Sequence, residues 1–338
     1  MDEQMQNAHQ ELQSESQEKP KRKIANFLRA LISKASLLPF LILLWIVFAT
    51  ASPSFATVRN MNTLLAATAV IAVAAIGETL ILLTAGIDIS VASVIACSAI
   101  LSAYVMEATG GNVVLGILVA LGVGLVFGTF NGFFVAKLGL TPFVLTLGTH
   151  LIARGIAFTV SKGYAIRAPE VVRKFGRVDI LGFPSIAIIA IALMLFFGFV
   201  LSKTTWGRHV TLIGANVNAA RYVGIRNSWI IASVYILSGL LSGVAGFLSV
   251  ANLGAAIPGV GDPILLTIIG GVILGGTSMF GGIGSMGKTA VGILLLATLT
   301  NGLNLLGYDF YDQLIAQGIV IVIGTAIIVK FGQERQPV

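Results

Sequence analysis

A single cysteine, three histidines and a charged fraction of 10% across 338 residues remove several kinds of protein at once. Cys97 lies inside an apolar run, so there is neither a disulfide framework nor a cysteine-based metal site. So few histidines make a metal centre an unexpected feature as well. Charge this sparse does not clothe a water-soluble surface. With 56% hydrophobic residues, 39 glycines and a mean hydropathy of +0.95, the composition is that of a polytopic membrane protein. The formal charge of +7 does not point to nucleic acid, because the basic residues are scattered over short loops and a tail rather than gathered on one face.

A helical span needs about 20 apolar residues. Ten candidates follow: 37–52, 61–84, 88–106, 113–136, 141–160, 184–202, 228–252, 262–279, 287–306 and 313–331. Their spacing leaves no room for a soluble domain, and backbone at membrane depth must satisfy its own hydrogen bonds, so an all-α architecture is expected and strands are not. Residues 1–36 are polar, acidic at first and then basic, and read as a disordered cytoplasmic tail. The run LLPFLILLWIVF that follows has the look of a signal peptide but sits far from the N-terminus, so it is read as a retained first span in a transmembrane domain of residues 37–331. Residues 332–338 form a second short cytoplasmic tail.

Ten spans place both termini on one side, and the Lys/Arg distribution chooses that side. With the N-terminus inside, fourteen basic residues fall on cytoplasmic segments and six outside, five of the six in the 161–183 loop. Spans two to five and seven to ten also have similar lengths and opposite orientation, as in inverted repeats.

The cytoplasmic segment 203–227 thereby acquires interest, since its stretch TTWGRHVTLIGANVNAARYVGI carries Arg208, His209 and Arg221 and no acid. The positive-inside rule alone accounts for such a loop. A second stretch is more misleading: GIGSMGKT at 282–289 matches the phosphate-loop pattern G-x-x-x-x-G-K-[ST] literally. That loop needs a buried strand before it, a soluble sheet around it and an acid for magnesium. Here membrane-length runs flank it, so it reads as a glycine-rich turn with Lys288 at the cytoplasmic edge. No nucleophile, base and orienting group cluster anywhere, so no catalytic residue is expected.

Four ordered motifs, LTAGIDISVAS at 83–93, TWGRHVTLIGANVNAARYVGI at 205–225, GGTSMFGGIGS at 275–285 and NGLNLLG at 301–307, resemble the ribose-type sugar permeases. These are the membrane subunits of ATP-binding-cassette importers, within the branched-chain amino acid/ribose permease superfamily. The resemblance covers roughly residues 55–330. It implies a cobalamin-importer-like (type II) fold in the bacterial cytoplasmic membrane, with a translocation path between two permease copies or paralogues. It further implies import of a monosaccharide or polyol by alternating access, with an extracytoplasmic binding protein as partner. ATP and magnesium would belong to a separate ATPase subunit, and this chain would hold no cofactor. An ion-coupled secondary transporter is the alternative reading.

In such permeases a short cytoplasmic helix docks on the ATPase, and Ala219, Ala220 and Gly224 resemble its A-A-x-x-x-G core. Asn216 or Asn218 is placed to cap that helix, Arg221 to meet acidic groups or carbonyls on the ATPase, and Arg208 and Ile225 belong to the same coupling loop. Candidate interior polar residues are Glu78, Asp88, Asn131, His150, Arg154, Asn301 and Asn304. Asp88 is read either as a cap of the third span or as a pathway residue, and Glu78 either as an interior polar site or as an acid bonded to a neighbouring helix. His150 and Arg154 share a helical face; the asparagines either meet sugar hydroxyls or bond between spans. Two departures stand out. The family's acidic pair before G-G-T-S is replaced by Leu265 and Thr267, and Ala85 and Ala92 occupy positions where glycine is common.

Overall fold

The structure, a computed structural model, describes residues 37–332. The expected N-terminal tail lies outside the described residues, as does the expected C-terminal tail apart from its first residue. Among the described residues each of the ten expected runs contains an apolar helix, and eight of these helices are long and apolar enough to cross a membrane. In chain order the helices are α1 (Leu38–Ala51), α2 (Val58–Leu83), α3 (Val91–Ala108), α4 (Val113–Leu138), α5 (Pro142–Ser161), α6 (Glu170–Phe175) and α7 (Ser185–Lys203). They continue with α8 (Thr205–Ala215), α9 (Val217–Tyr222), α10 (Asn227–Leu253), α11 (Asp262–Leu274), α12 (Met286–Leu305) and α13 (Phe310–Gly332). The two short apolar members are α1 and α11. Expected to run to 279, α11 stops at Leu274 because Gly275 and Gly276, the latter at φ +85°, turn the chain away.

Boundaries are set by local chemistry. The Thr57 hydroxyl accepts from the Asn60 N–H at 3.3 Å to open α2, and Asn112 Oδ1 accepts from the Leu115 N–H at 3.1 Å to open α4. Gly139 in the left-handed region closes α4, and Pro142 starts α5.

The described residues are predominantly helical, as expected, but against the expectation of no strands they include four two-residue strands: β1 (Ile166–Arg167), β2 (Asp179–Ile180), β3 (Phe183–Pro184) and β4 (Ala255–Ala256). β1 pairs antiparallel with β4, Ile166 opposite Ala256, and β2 pairs with β3. All lie in connections: β2 and β3 close a local hairpin, and β1–β4 fastens the 161–183 loop to the segment after α10.

Burial divides the helices. α2 and α3 form the centre, with α10 beside them, while α4, α5, α7 and α13 are mostly open. Their open faces are apolar, with Val126, Leu151, Leu195 and Val322 all exposed, as suits a hydrocarbon surround rather than water. The most extensive helix-to-helix contact is between α4 and α10. Along α4, Gly116, Ala120, Gly124, Gly128 and Gly132 recur every fourth residue on one stripe, and a Cβ at Gly128 would meet the Tyr235 carbonyl of α10 at 2.6 Å. Small residues thus bring two backbones together, the contact that membrane helices use in place of a hydrophobic drive.

Candidate functional site

Three connections meet at one end of the bundle: the α2–α3 turn (84–90), the α8–α9 segment and the α11–α12 turn (275–285). The Gly282 N–H donates to the Leu83 carbonyl at 3.0 Å. Gly214, near the end of α8, sits so tightly between Leu83 and Gly282 that any side chain would strike backbone. Gly281 in turn approaches both Gly214 and the Ala85 N–H. Three of the motifs quoted above are therefore one packed unit.

Ala85 is at φ +60° in that turn, a left-handed conformation that costs an L-residue roughly 1–2 kcal/mol. This is the physical reason glycine suits the position. Ala85 is exposed, so removing its methyl sacrifices no burial. Ala85→Gly is expected to stabilise the fold by about 1 kcal/mol, read as a higher melting temperature in detergent; a lower one would contradict the strained turn.

The 204–225 stretch is helical throughout most of its length. The Thr204 hydroxyl accepts from the Gly207 N–H at 3.1 Å to start α8, whose buried Gly207, Val210 and Ile213 face the bundle. Trp206 Nε1 donates to Ser233 Oγ on α10 at 2.9 Å. Asn216 ends α8 and begins α9, its Oδ1 accepting from the N–H groups of Asn218 and Ala219 at 3.0 and 2.9 Å. Asn216 is thus the cap, while Asn218 supplies only its backbone. Ala219 is exposed, whereas Ala220 is buried beneath α9 and lets it sit close; Arg221, Tyr222 and Val223 face outward. Gly224 at φ +83° turns the chain out of α9, the Ile225 N–H donating back to the Ala220 carbonyl at 3.1 Å. Asn227 Nδ2, at the start of α10, donates to the Val217 carbonyl at 2.8 Å and ties the start of α9 to α10. His209, Val223, Gly224, Ile225, Arg226, Trp229 and Ile230 enclose an open cleft of about 340 Å³. Arg208, Arg221 and Arg226 make the neighbourhood basic, and no acid occurs between 180 and 261. An exposed basic and apolar face of this kind suits an acidic macromolecular partner.

Behind the α2–α3 turn lies a buried polar network. The Asp88 N–H donates to Glu78 Oε1 at 3.3 Å, and Asp88 Oδ1 accepts from the Ser90 N–H at 2.8 Å and the Ser90 hydroxyl at 2.5 Å. Ser90 Oγ accepts from Asn131 Nδ2 of α4 at 3.0 Å. From α5, Thr146 Oγ1 accepts from the Ile89 N–H at 3.2 Å, and His150 Nδ1 lies 2.9 Å from Ser93 Oγ and 3.2 Å from the Ile89 carbonyl. Glu78, Asp88, Asn131 and His150 therefore form one group, holding the turn to three helices. Asp88 bonds within the turn at the start of α3. Sequence reasoning missed Tyr235, a fully buried phenol on α10 whose hydroxyl presses on Gly86; a Cβ there would lie 2.7 Å from it. Its signal was available as a lone tyrosine in an apolar span.

Glu78 is completely buried and does its bonding through one acceptor oxygen. An amide offers the same oxygen, so Glu78→Gln is expected to melt close to the parent. Glu78→Ala leaves a buried N–H unpartnered beside a cavity and is expected to lose about 2–4 kcal/mol, measured by thermal unfolding. Equal losses for both variants would show that the single Oε1 acceptor is not what Glu78 contributes.

The other candidates lie apart. Arg154 pairs with Asp262 at the start of α11 and stacks over Phe158, 5.2 Å from the ring centroid. Asn301 and Asn60 of α2 exchange two hydrogen bonds of 2.9 Å, and Asn304 is exposed on the following turn. Thr267, standing where the resemblance leads one to expect an acid, is buried and donates to Gln317 Oε1 at 3.4 Å, while Gln317 Nε2 donates to Thr300 Oγ1 at 2.5 Å. Among the described residues there is no cluster of three histidine, cysteine, aspartate or glutamate side chains arranged to hold a metal.

Residues 60–325 match the family described as branched-chain amino acid transport system / permease component. The ribose import permease protein of Escherichia coli (strain K12) is 36% identical over 302 residues, 88% of this chain and 94% of the relative. A protein of the same name from Bacillus subtilis (strain 168) is 36% identical over 294 residues, 86% and 91% of the two chains. The L-arabinose transport system permease protein of Escherichia coli (strain K12) is 33% identical over 280 residues, 82% and 85% respectively. No solved structure matches the chain.

Proposed function

The chain belongs to the family of branched-chain amino acid transport system permease components, and from that premise we propose that it is the membrane-embedded permease of an ATP-binding-cassette importer for a monosaccharide or related polyol. The observation that carries this reading is the near end-to-end similarity to proteins named as ribose and L-arabinose permeases, covering more than four-fifths of each chain. The chain contributes the transmembrane path, paired with a second permease copy or paralogue. An ATPase subunit supplies ATP and magnesium chemistry, and an extracytoplasmic protein delivers the sugar.

The excess of Lys and Arg supports a cytoplasmic position for the end where the three connections meet. Segment 203–227 then acts as the coupling element, with α9 as the part that seats on the ATPase. Because Gly214, Gly281 and Leu83 are in backbone contact, a displacement of α9 is passed to α2, α3 and α11 without a soft side chain between. Nucleotide-driven approach of two ATPase subunits thereby becomes relative motion of the two permeases, opening the path on alternate sides.

Co-reconstitution of the permease with its ATPase and binding protein in proteoliposomes tests the proposal. ATP-dependent accumulation of a radiolabelled pentose, hexose or polyol from a panel is the expected result. Uptake driven by a proton or sodium gradient in liposomes holding this chain alone would overturn it.

A further inference from the structure

Beyond α9, the same end of the molecule carries a second exposed feature. Residues 278–283 form a closed turn: the Ser278 N–H donates to the Ile283 carbonyl at 2.8 Å, the Gly281 N–H to the Ser278 carbonyl at 3.2 Å, and the Phe280 N–H to Ser278 Oγ at 3.1 Å. At its tip Phe280 is 90% exposed, with Met279 and Ile283 more than half exposed on either side. The base of the turn is fixed, since Gly281 and Gly282, both at positive φ, lie against the backbone of Gly214 and Ala215. A large exposed aromatic ring is thus carried on a fixed stem that packs against Gly214 and Ala215, the last two residues of α8.

We propose that Phe280 is a second anchor for the same ATPase, seating in an apolar pocket rimmed by carboxylates beside the groove that receives α9. The inference rests on the coupling role given to α9. Two features select this occupant. The tip continues the exposed surface of α8 and α9, where Leu212, Val217, Tyr222 and Val223 are open. Arg208 on α8, Arg221 on α9 and Lys288 at the start of α12 are all exposed, and the α8–α9 segment and the α11–α12 turn carry no acid, so a complementary surface is apolar at its centre and negative at its edge. Preorganisation separates it from a ring that merely dips into lipid: a membrane requires no fixed geometry, whereas a protein pocket gains affinity when the backbone that presents the anchor is already fixed. A literal phosphate-loop pattern overlaps this turn, and its first glycine, Gly282, serves here with Gly281 to bring the turn against α8.

The test uses the full permease in nanodiscs with its ATPase. p-Benzoylphenylalanine is placed in separate variants at position 280 and at position 222 on α9, and photo-adducts are mapped. Adducts to the ATPase from both positions are the expected result. An adduct from 222 with none from 280, or with lipid as the sole product at 280, overturns the second anchor while leaving α9 as the coupling element. Absence of an adduct from 222 removes the coupling reading itself. In parallel, Phe280→Ala is expected to weaken ATPase binding about 10- to 30-fold without moving the melting temperature of the free permease, because the ring is not packed. Unchanged affinity overturns the proposal.

Discussion

Gly224→Trp is expected to cut ATP-driven uptake by about 100-fold, in line with the loss of several kcal/mol when an interface contact is blocked, while the permease still folds and inserts. A Cβ at Gly224 would meet nothing within 4 Å, so the indole has room within the permease and projects into the space beside Val223 and Arg226. That space is where α9 would seat on the ATPase. The substitution also carries the left-handed strain of φ +83°, roughly 1–2 kcal/mol. Gly224→Ala carries the same strain without the bulk and is expected to keep most uptake. The pair therefore separates a docking effect from a folding effect. Full coupled uptake by Gly224→Trp would remove α9 from the coupling role.

The spans were legible because hydrocarbon imposes a simple demand: about 20 apolar residues with internally satisfied backbone. Each of the ten runs contains an apolar helix. Their ends were less legible, since a run such as 262–279 remains apolar past the point where Gly275 and Gly276 leave the helix. The α9 cap was narrowed to two asparagines by composition, and only backbone geometry chose Asn216. The polar residues illustrate a sharper limit. Glu78, Asp88, Asn131 and His150 looked alike in sequence to Arg154, Asn301 and Asn304, yet the first four join one network and the rest lie in separate places. Sequence registers that a polar group is costly in a span, not which helix answers it. The meeting of three distant motifs at one end was likewise invisible, because it depends on which helices are neighbours.

Helix pairing also supplies the second large effect: Gly239→Val is expected to prevent recovery of folded protein. On α10, Gly239 lies against Gly124 and Gly128 of α4, and a Cβ there would be 2.7 Å from the Gly128 Cα and overlap the Gly124 carbonyl. Gly124 stands in the same relation to Gly239, so relief cannot come from rotating one side chain. The helices must separate along the most extensive contact in the fold. Apolar side chains gain little by leaving lipid for one another, so van der Waals contact and Cα–H···O approach between the backbones carry the association. Losing them costs more than 4 kcal/mol, a large share of the stability of a typical domain. Gly122 on α4 provides the control, for a Cβ there meets nothing within 4 Å. Gly122→Ala is expected to be neutral or to stabilise by about 0.5–1 kcal/mol through helix propensity. Yield of monodisperse protein and melting temperature in detergent report both variants. If Gly239→Val melts no lower than Gly122→Ala, the α4–α10 contact is not what holds the bundle together.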